Sequence, residues 1–341
     1  MEGKNGADPI LKVKNLRTYF KMAEGIIKAV DDVSFELYPN EVLGIVGETG
    51  SGKSVTVKSI MRLIYPPGEI VDGKVLFKTD EFSRDGSKEY IDILKLNEEE
   101  ITRIRGRHIS MVFQDPMTSL NPIFTIRDQM VETITFHRNV DEVEAERIAI
   151  EMLDKVGIPD PKKRLNDYPF QLSGGQRQRV VIAIALSCNP EILIADEPTT
   201  ALDVTIQAQI LELMKDLQEE FKTSIIFITH DLAIIAEMAD KVMVMYGGKA
   251  VEFGNVIDIF DNPVHPYTKA LLKCLPRVDV RTEDLEPIPG QPPVMLNAPP
   301  LCPFLPRCPI RMERCEREFP KMIEIEKDHH VRCFKEALNG G

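Results

Sequence analysis

The sequence predicts an α/β fold in which buried strands and amphipathic helices alternate around one glycine-rich loop. Residues 42–46 form a short apolar run that is typical of a buried strand, and the residues from Ser54 onward keep apolar side chains at helical spacing. Between them lies the segment Gly47-Glu48-Thr49-Gly50-Ser51-Gly52-Lys53-Ser54. A strand, a glycine-rich turn ending in Lys-Ser and a helix, in this order, are what a phosphate-binding loop requires.

This loop matches the pattern G-x-x-x-x-G-K-[ST] through Gly47, Gly52, Lys53 and Ser54. The glycines let backbone N–H groups turn toward phosphate oxygens, and the start of the following helix adds positive potential. Lys53 is expected to reach the β- and γ-phosphates, and the Ser54 hydroxyl is expected to bind Mg²⁺. The alternative is an incidental glycine-rich turn, but the agreement between the motif and its flanks favours a nucleotide site.

Composition narrows the class of protein. The 341 residues are 43% hydrophobic and 28% charged, so we expect a globular chain with one large domain and an appendage, or two domains. The net charge of −12 argues against a nucleic-acid surface over the whole protein, although a local patch is not excluded. The N-terminus has no apolar signal core, and no run approaches the roughly 20 apolar residues that span a bilayer. We therefore expect a cytosolic chain that acts at a membrane only through partners.

Two alternating apolar and polar stretches, 10–20 and 27–37, are predicted to be strands that lead into the loop strand. Phe20 ends the first of them, where an aromatic ring could stack on adenine, although a lone aromatic is more often part of a core. Residues 72–96 have strand-like segments interrupted by a polar loop. Residues 72–96 are therefore expected to form a hairpin with a variable polar loop.

Polar side chains follow three later apolar strands. Gln114 follows the strand at 109–113 and could reach Mg²⁺ or the attacking water, or be only a surface residue. Asp196 and Glu197 end the next strand, where Asp196 would belong to the Mg²⁺ shell and Glu197 would polarise water as general base. His230 follows a third strand and is expected to bond the γ-phosphate, because the ends of these strands share one sheet edge with the loop.

A helical insertion of about residues 120–180 separates the strands and is expected to form a separate lobe. It ends in Leu172-Ser173-Gly174-Gly175-Gln176-Arg177-Gln178-Arg179, where Ser-Gly-Gly opens a helix and presents backbone N–H groups to an anion. The chain has one lysine-bearing phosphate loop for two such sites. The second loop is therefore expected to serve a nucleotide held by another subunit.

Taken in order, the segments GETGSGKS, Gln114, LSGGQRQR, ILIADEP, ALD and His230 resemble the ATP-binding cassette (ABC) ATPases over about residues 9–255. The resemblance implies an α/β P-loop NTPase with a RecA-like core, an antiparallel β-subdomain and a helical signature subdomain. It also implies two cassettes head to tail, with each ATP clamped between the phosphate loop of one subunit and Ser173, Gly174 and Gln176 of the other.

The resemblance assigns roles to residues at the matching positions. Catalysis is expected of Glu197, His230, Lys53 and Gln114, and Mg²⁺ binding of Ser54, Gln114 and Asp196. Val55 departs from the family, which often has a hydroxyl residue there, but its backbone N–H can still serve the α-phosphate. The implied nucleotide contacts are Phe20, Gly47, Glu48, Thr49, Gly50, Ser51, Gly52, Lys53, Ser54, Val55, Gln114, Ser173, Gly174, Gly175, Gln176, Asp196 and Asp203.

The tail is similar to that of oligopeptide/dipeptide importer ATPases, through the segment Asn262-Pro263-Val264-His265-Pro266-Tyr267-Thr268 and the proline-rich stretch 287–309. We expect an ATPase domain over 1–255 and an extension over 256–341.

The implied partners are a second cassette, identical or paralogous, two permeases at the cytoplasmic face of the membrane and, indirectly, an extracytoplasmic solute-binding protein. A nickel or other small-solute importer stays open. An ABC ATPase acting on nucleic acid is disfavoured, since the chain lacks a second cassette, a long coiled-coil insertion and a basic stripe.

Four of the six cysteines cluster in the tail, at Cys302, Cys308, Cys315 and Cys333, whereas Cys188 and Cys274 lie in apolar helical patterns. In a cytosolic chain such a cluster indicates a metal or iron–sulfur site rather than disulfides, and the lack of a CxxC pair weakens structural zinc. The importer ATPases are associated with a [4Fe–4S] cluster at cysteines of this spacing. One alternative is a Zn²⁺ site in which His329 or His330 replaces a cysteine. The other is four free thiols. Four nearby arginines are expected to offset the cluster's charge: Arg307, Arg311, Arg314 and Arg317.

Overall fold

The computed structural model describes residues 7–83, 85–200, 202–274, 288–334 and 338. The alanine of the ALD segment, at position 201, and the start of the proline-rich stretch, at 287, lie outside these residues. None of the helices within the described ranges is long and apolar enough to cross a membrane.

Twelve strands and eleven α-helices make up the described fold, joined by short 3₁₀ turns. The strands are β1 Leu11–Met22, β2 Gly25–Leu37, β3 Val42–Val46, β4 Gly68–Thr79, β5 Glu89–Asp92, β6 Ile109–Val112, β7 Ile192–Asp196, β8 Ser224–Ile228, β9 Lys241–Tyr246, β10 Lys249–Asn255, β11 Ile323–Glu326 and β12 His329–Val331. The helices are α1 Lys53–Ile60, α2 Glu98–Ile104, α3 Pro116–Ser119, α4 Ile126–Arg138, α5 Glu142–Lys155, α6 Pro161–Arg164, α7 Gly174–Leu186, α8 Val204–Phe221, α9 Leu232–Met238, α10 Val256–Asp261 and α11 Pro266–Lys273.

The central sheet has eight strands in the order β11-β12-β10-β9-β3-β8-β7-β6. The five strands from β9 to β6 pair in parallel, so their carboxyl ends meet at one edge. The phosphate-loop strand β3 lies inside this parallel block, between β9 and β8, and is fully buried. Its side chains alternate between two apolar cores, with Val42 and Val46 in one and Leu43 and Ile45 in the other. The sheet is therefore covered on both faces, as parallel sheets require.

A separate antiparallel sheet, in the order β2-β1-β4-β5, covers the face that carries α1. The buried hydroxyls of Thr18 in β1 and Ser59 in α1 lie 2.7 Å apart and join this sheet to the helix of the phosphate loop. The prediction of an antiparallel β-subdomain is confirmed.

Helices α4 to α7 lie between β6 and β7 in the chain and form the predicted helical lobe. Two of these helices begin with a capping box. In this motif the side chain of the N-cap residue and the side chain three residues later each accept a hydrogen bond from the other residue's backbone N–H. Thr125 and Asp128 form one at α4, and Ser173 and Gln176 form the other at α7. The lobe is apolar inside, through residues such as Met130 and Leu153.

The C-terminal extension is built onto the central sheet. Strand β12 pairs antiparallel with β10, and β11 pairs with β12, so the sheet continues into the cysteine-bearing segment. Arg332, the residue before Cys333, donates to the Ala250 carbonyl oxygen at 3.0 Å and to Asp32 Oδ2 at 3.1 Å. The extension thus contacts both the core sheet and the β-subdomain.

Candidate nucleotide site

The phosphate loop turns sharply at two glycines. Gly47 has φ 152° and Gly52 has φ 101°, a region that glycine enters without steric cost. Neither position has room for a side chain, because an added Cβ would lie 2.2 Å from the Met245 carbonyl oxygen at 47 and 2.2 Å from the Ala29 carbonyl oxygen at 52. The glycines that the sequence pattern requires are therefore required by both conformation and space.

Lys53 curls back over this loop. Its Nζ donates to the carbonyl oxygens of Gly47 at 2.8 Å and Glu48 at 3.2 Å, and the residue is only 5% exposed. Burial lowers the pKa of Lys53, against the opposing influence of the Glu197 and Asp196 carboxylates. An ammonium group held among carbonyl oxygens at a helix start is placed to bind a polyphosphate anion.

Ser54 and Asp196 provide a pair of hard oxygen donors. The Ser54 hydroxyl donates to Asp196 Oδ1 at 2.8 Å, which brings the start of α1 to the end of β7. Asp196 is 2% exposed, and burial raises the pKa of its carboxyl group. Mg²⁺ prefers few protein oxygen ligands together with water and substrate phosphates, so this pair fits the ion that the sequence implies.

Glu197 lies beside Asp196, where three polar side chains converge on one of its carboxylate oxygens. Gln114 Nε2 donates to Glu197 Oε2 at 3.1 Å, the Thr200 hydroxyl donates to the same oxygen at 3.0 Å, and His230 Nδ1 lies 3.4 Å away. Glu197 has φ 49°, a conformation that is uncommon for a residue other than glycine and concentrates at functional sites. The structure brings the predicted site residues Gln114, Glu197 and His230 together at one sheet edge, and Thr200 is an additional member that the sequence did not point to.

The other predicted loop residues differ in their surroundings. Thr49 and Gly50 are exposed at the tip, whereas Ser51 is 4% exposed and its hydroxyl has no hydrogen-bond partner among the described groups. Val55 packs against the core of the β-subdomain. Glu48 is half-buried, and its N–H donates to the Tyr267 hydroxyl at 2.9 Å.

Phe20 lies at the pairing of β1 with β4, opposite Gly68. A Cβ at position 68 would lie 2.7 Å from Phe20 Cε1 and 2.8 Å from Ile64 Cγ2, so the ring covers this glycine. Part of the surface of the Phe20 ring is therefore in contact with residues of its own chain. Its stacking on adenine stays a prediction.

The signature residues stabilise their own helix. Ser173 Oγ accepts from the Gln176 N–H at 3.2 Å, and Gln176 Oε1 accepts from the Ser173 N–H at 3.0 Å. Gly175 faces α8, where a Cβ would lie 2.8 Å from Ile206 Cγ2, and Asp203 caps that helix by accepting from the Ile206 N–H at 3.0 Å. Within the described residues, no hydrogen bond or ion pair joins this loop, Gly174 included, to the chain's own phosphate loop.

The four clustered cysteines line one small cavity of about 20 Å³, together with apolar residues such as Phe304 and Ile310. Burial raises the pKa of the Cys302 thiol to about 11, of the Cys333 thiol to about 12, and that of the Cys308 thiol as well. Across the part of the chain that is described, no group of three or more His, Cys, Asp or Glu residues is arranged to hold a metal ion. The geometry thus brings Cys302, Cys308, Cys315 and Cys333 together without forming a ready single-ion site. His329 bonds Glu252 instead, at 2.9 Å.

The structure contradicts the expected role of Arg307. It was expected to offset the charge of a cluster, but its guanidinium group binds the Glu48 carboxylate, at 2.8 Å and 3.2 Å. Arg314 and Arg317 form ion pairs with Glu318 and Glu313. The sequence pointed to neither the role of Arg307 at the phosphate loop nor that of Tyr267, although both lie in segments with recognisable motifs.

This site is that of a P-loop ATPase of the cassette type. The class is defined by the phosphate loop, the buried Ser–Asp pair, the carboxylate beside a glutamine and a histidine, and the capped Ser-Gly-Gly helix. Comparisons with known proteins agree. The family model for ABC transporters matches residues 30–200, and that for the C-terminal region of oligopeptide/dipeptide transporters matches residues 251–315.

Among similar proteins, the dipeptide transport ATP-binding protein DppD of Bacillus subtilis is 49% identical over 96% of this chain and 95% of its own. The oligopeptide transport ATP-binding protein OppD of Escherichia coli is 47% identical over 96% of this chain and 94% of its own. The solved dimeric cassette MJ0796, in a post-hydrolysis state bound to ADP and Pi, is 31% identical over 72% of this chain and 98% of its own, with a TM-score of 0.62. The chain belongs to the ABC transporter family, as an ATP-binding cassette with the C-terminal region of oligopeptide/dipeptide transporters.

Proposed function

We propose that this chain is the ATP-hydrolysing subunit of an importer that carries dipeptides or oligopeptides across the cytoplasmic membrane. The observation that carries the proposal is the match of residues 251–315 to the C-terminal region of oligopeptide/dipeptide transporters, combined with close similarity to relatives named for dipeptide and oligopeptide transport. The working unit would contain a second cassette, identical or paralogous, two permeases and an external solute-binding protein. The ATPase domain would span 1–255 and the importer extension 256–341.

The roles of the site residues are part of the same proposal. Lys53, with the amides of the phosphate loop, would bind the phosphates, and Ser54, Asp196 and Gln114 would hold Mg²⁺, which neutralises charge on the phosphates. Glu197 would orient and deprotonate the attacking water, and His230 would bond the γ-phosphate. Ser173, Gly174, Gly175 and Gln176 would close on the nucleotide of the partner cassette. This agrees with the absence, among the residues that the structure describes, of a hydrogen bond or ion pair from this loop to its own phosphate loop.

An apolar cleft supports docking of permeases. It has a volume of about 290 Å³ and lies where the end of α1, the strand before Gln114 and the helical lobe meet. Phe113, directly before Gln114, lines it and is 40% exposed. A short apolar helix of a membrane partner would fit this cleft. It would move when the loop that carries Gln114 moves. Its lining includes Met61, Leu63, Met111, Phe113, Leu120 and Val181.

Transport by the assembled complex tests the proposal. The chain would be co-expressed with two permeases, a second cassette and a solute-binding protein of its importer, and the complex would be reconstituted in vesicles. We expect ATP-dependent uptake of a labelled dipeptide or tetrapeptide. Uptake of ⁶³Ni²⁺ without peptide uptake would replace the peptide cargo by nickel. ATP turnover stimulated by DNA or RNA, with no uptake of either solute, would contradict an importer.

We further propose that Cys302, Cys308, Cys315 and Cys333 hold a [4Fe–4S] cluster. All four line one cavity, but they are not arranged around a single ion. Zinc bonds each thiolate at about 2.3 Å and needs all four sulfurs around one point, whereas a cubane binds each sulfur through a different iron and tolerates a wider spacing. Iron, sulfide and zinc analysis of anaerobically purified protein, with Cys315→Ser as comparison, tests this. One equivalent of zinc, or four titratable thiols with no metal, would contradict the cluster.

A further inference from the structure

The phosphate loop of this chain contains a carboxylate, at Glu48. A negative charge beside a bound triphosphate weakens binding, because like charges at this range repel and a partly buried site screens them poorly. Glu48 is held in place within the loop, since its carbonyl oxygen accepts from the Ser51 N–H at 3.1 Å and from Lys53 Nζ at 3.2 Å. Its charge and its position therefore both bear on nucleotide binding.

Arg307 of the C-terminal extension neutralises this carboxylate. Nη1 donates to Glu48 Oε2 at 2.8 Å and Nη2 donates to Glu48 Oε1 at 3.2 Å, a two-pronged pair that arginine is shaped to form. The arginine side chain is 6% exposed. Its remaining donors are also used, on the Tyr246 hydroxyl at 3.0 Å and the carbonyl oxygens of Pro289 and Ile288 at 2.7 Å and 3.1 Å. With all five donors used, the guanidinium group has one orientation.

Tyr267 binds the backbone N–H of Glu48. Its hydroxyl oxygen accepts from the Glu48 N–H at 2.9 Å, which directs that amide toward helix α11. The tyrosine ring is fully buried and lies 4.5 Å from the Tyr246 ring and 5.4 Å from the Phe304 ring, between centroids. The extension therefore holds Glu48 by its side chain and its main chain from two different segments.

We propose that Arg307 and Tyr267 are positioning residues of the nucleotide site, which act through Glu48. Arg307 neutralises the charge of its carboxylate, and both residues fix the start of the phosphate loop. Because Glu48 also provides an acceptor for Lys53, the same contacts keep the lysine directed along the loop. The inference rests on nucleotide binding at this loop and is independent of the transported solute. It gives the C-terminal region a part in ATP binding, through its contacts with the phosphate loop.

Nucleotide affinity of the full-length chain tests the inference, measured by calorimetric titration with ATP and ADP in the presence of Mg²⁺. Arg307→Met is expected to weaken ATP binding roughly tenfold, and ADP binding by less, since the repulsion by an unpaired Glu48 grows with ligand charge. Adding Glu48→Gln to Arg307→Met is expected to restore ATP affinity to within about threefold of the original chain. Tyr267→Phe removes only the hydroxyl and is expected to weaken both nucleotides by a similar severalfold factor.

Matched controls separate positioning from general damage. Arg317→Met removes an exposed arginine of the same extension, and Tyr90→Phe removes a tyrosine hydroxyl that donates to the Pro9 carbonyl oxygen; neither is expected to change affinity. If Arg307→Met does not fold, as judged by near-UV circular dichroism, Arg307→Gln replaces it with the same expectations. Unchanged ATP affinity in the arginine variant, or no recovery in the double variant, overturns the proposal. Failure of the original chain to bind ATP would instead contradict the nucleotide site itself.

Discussion

Ser54 Oγ and Asp196 Oδ1 lie 2.8 Å apart, although 142 residues separate them in the chain. The contact joins the first turn of α1 to the carboxyl end of β7, two strands away from β3 across the sheet. A hydroxyl and a buried carboxylate at this spacing provide two adjacent oxygen ligands, and a cation between them would offset the cost of burying the charge of Asp196.

Replacing Ser54 by Ala is expected to raise the Mg²⁺ concentration needed for half-maximal ATP binding by roughly tenfold, because one oxygen ligand of the ion is lost. ATP affinity measured in excess EDTA is expected to stay within about twofold of the original value. Fluorescent ATP-analogue titrations across a Mg²⁺ series provide the measurement, with the exposed Ser87→Ala as control. An unchanged Mg²⁺ requirement would remove Ser54 from the metal site.

Glu197→Gln is expected to slow ATP hydrolysis by roughly 10²–10⁴-fold, because the amide cannot accept a proton from the attacking water. ATP binding is expected to persist, since glutamine keeps the shape of the side chain. Steady-state turnover of the assembled complex and nucleotide titration, run side by side, provide the measurement. The exposed Glu99→Gln is the matched control, and turnover near the original rate in the Glu197 variant would exclude this residue as the base.

His108 predicts a pH dependence of stability. The buried ring lies between Glu191 and Glu81, each at 3.0 Å, and Lys88 also pairs with Glu191. Burial alone would lower the pKa of His108, but the hydrogen bonds to the two carboxylates outweigh it and raise this pKa above its ordinary value. A raised pKa in the folded state stabilises the protein fully below the unfolded pKa of about 6.5, and this contribution is lost as pH rises through the folded pKa.

Urea denaturation of the original chain and of His108→Gln, from pH 5.5 to 8.5, measures this contribution. The stability difference between the two is expected to be largest at the acidic end and to shrink as pH rises. Glu81→Gln removes one of the two carboxylates and is expected to give a weaker pH dependence. A difference that stays constant or grows with pH would show that His108 is not charged in the folded protein.

Phe304→Ala is expected to lower the free energy of unfolding by about 3–5 kcal/mol, because a buried aromatic side chain is removed from a closely packed cluster. Phe304 is 1% exposed, and its ring centroid lies 5.2 Å from that of Tyr246 and 5.4 Å from that of Tyr267. Urea denaturation provides the value, with the 66% exposed Phe136→Ala as control. A loss below about 1 kcal/mol would mean that this cluster does not hold the extension to the core.

Much of the fold could be predicted because its signals are local. The apolar run of β3, the glycines at 47 and 52 and the amphipathic helices of the lobe depend on side-chain pattern and backbone conformation, which neighbouring residues determine. The meeting of Gln114, Glu197 and His230 was also predictable. Each follows a parallel strand, and such strands end at a common edge.

Contacts between distant segments were harder to foresee. Arg307 lies one residue before a cysteine, and the sequence associated it with that cysteine; only the approach of the extension to the core showed that its partner is Glu48. Thr200 was missed because a threonine after two carboxylates carries no distinctive pattern.

The sequence by itself determined the phosphate loop, the strand-end residues, the helical lobe and the signature that joins them, because each depends on short-range spacing and residue chemistry. The tertiary structure alone decided that the C-terminal extension continues the central sheet and holds the phosphate loop through Glu48. Salt bridges and hydrogen bonds of this kind depend on which surfaces meet after folding, and the spacing of residues along the chain does not encode that choice.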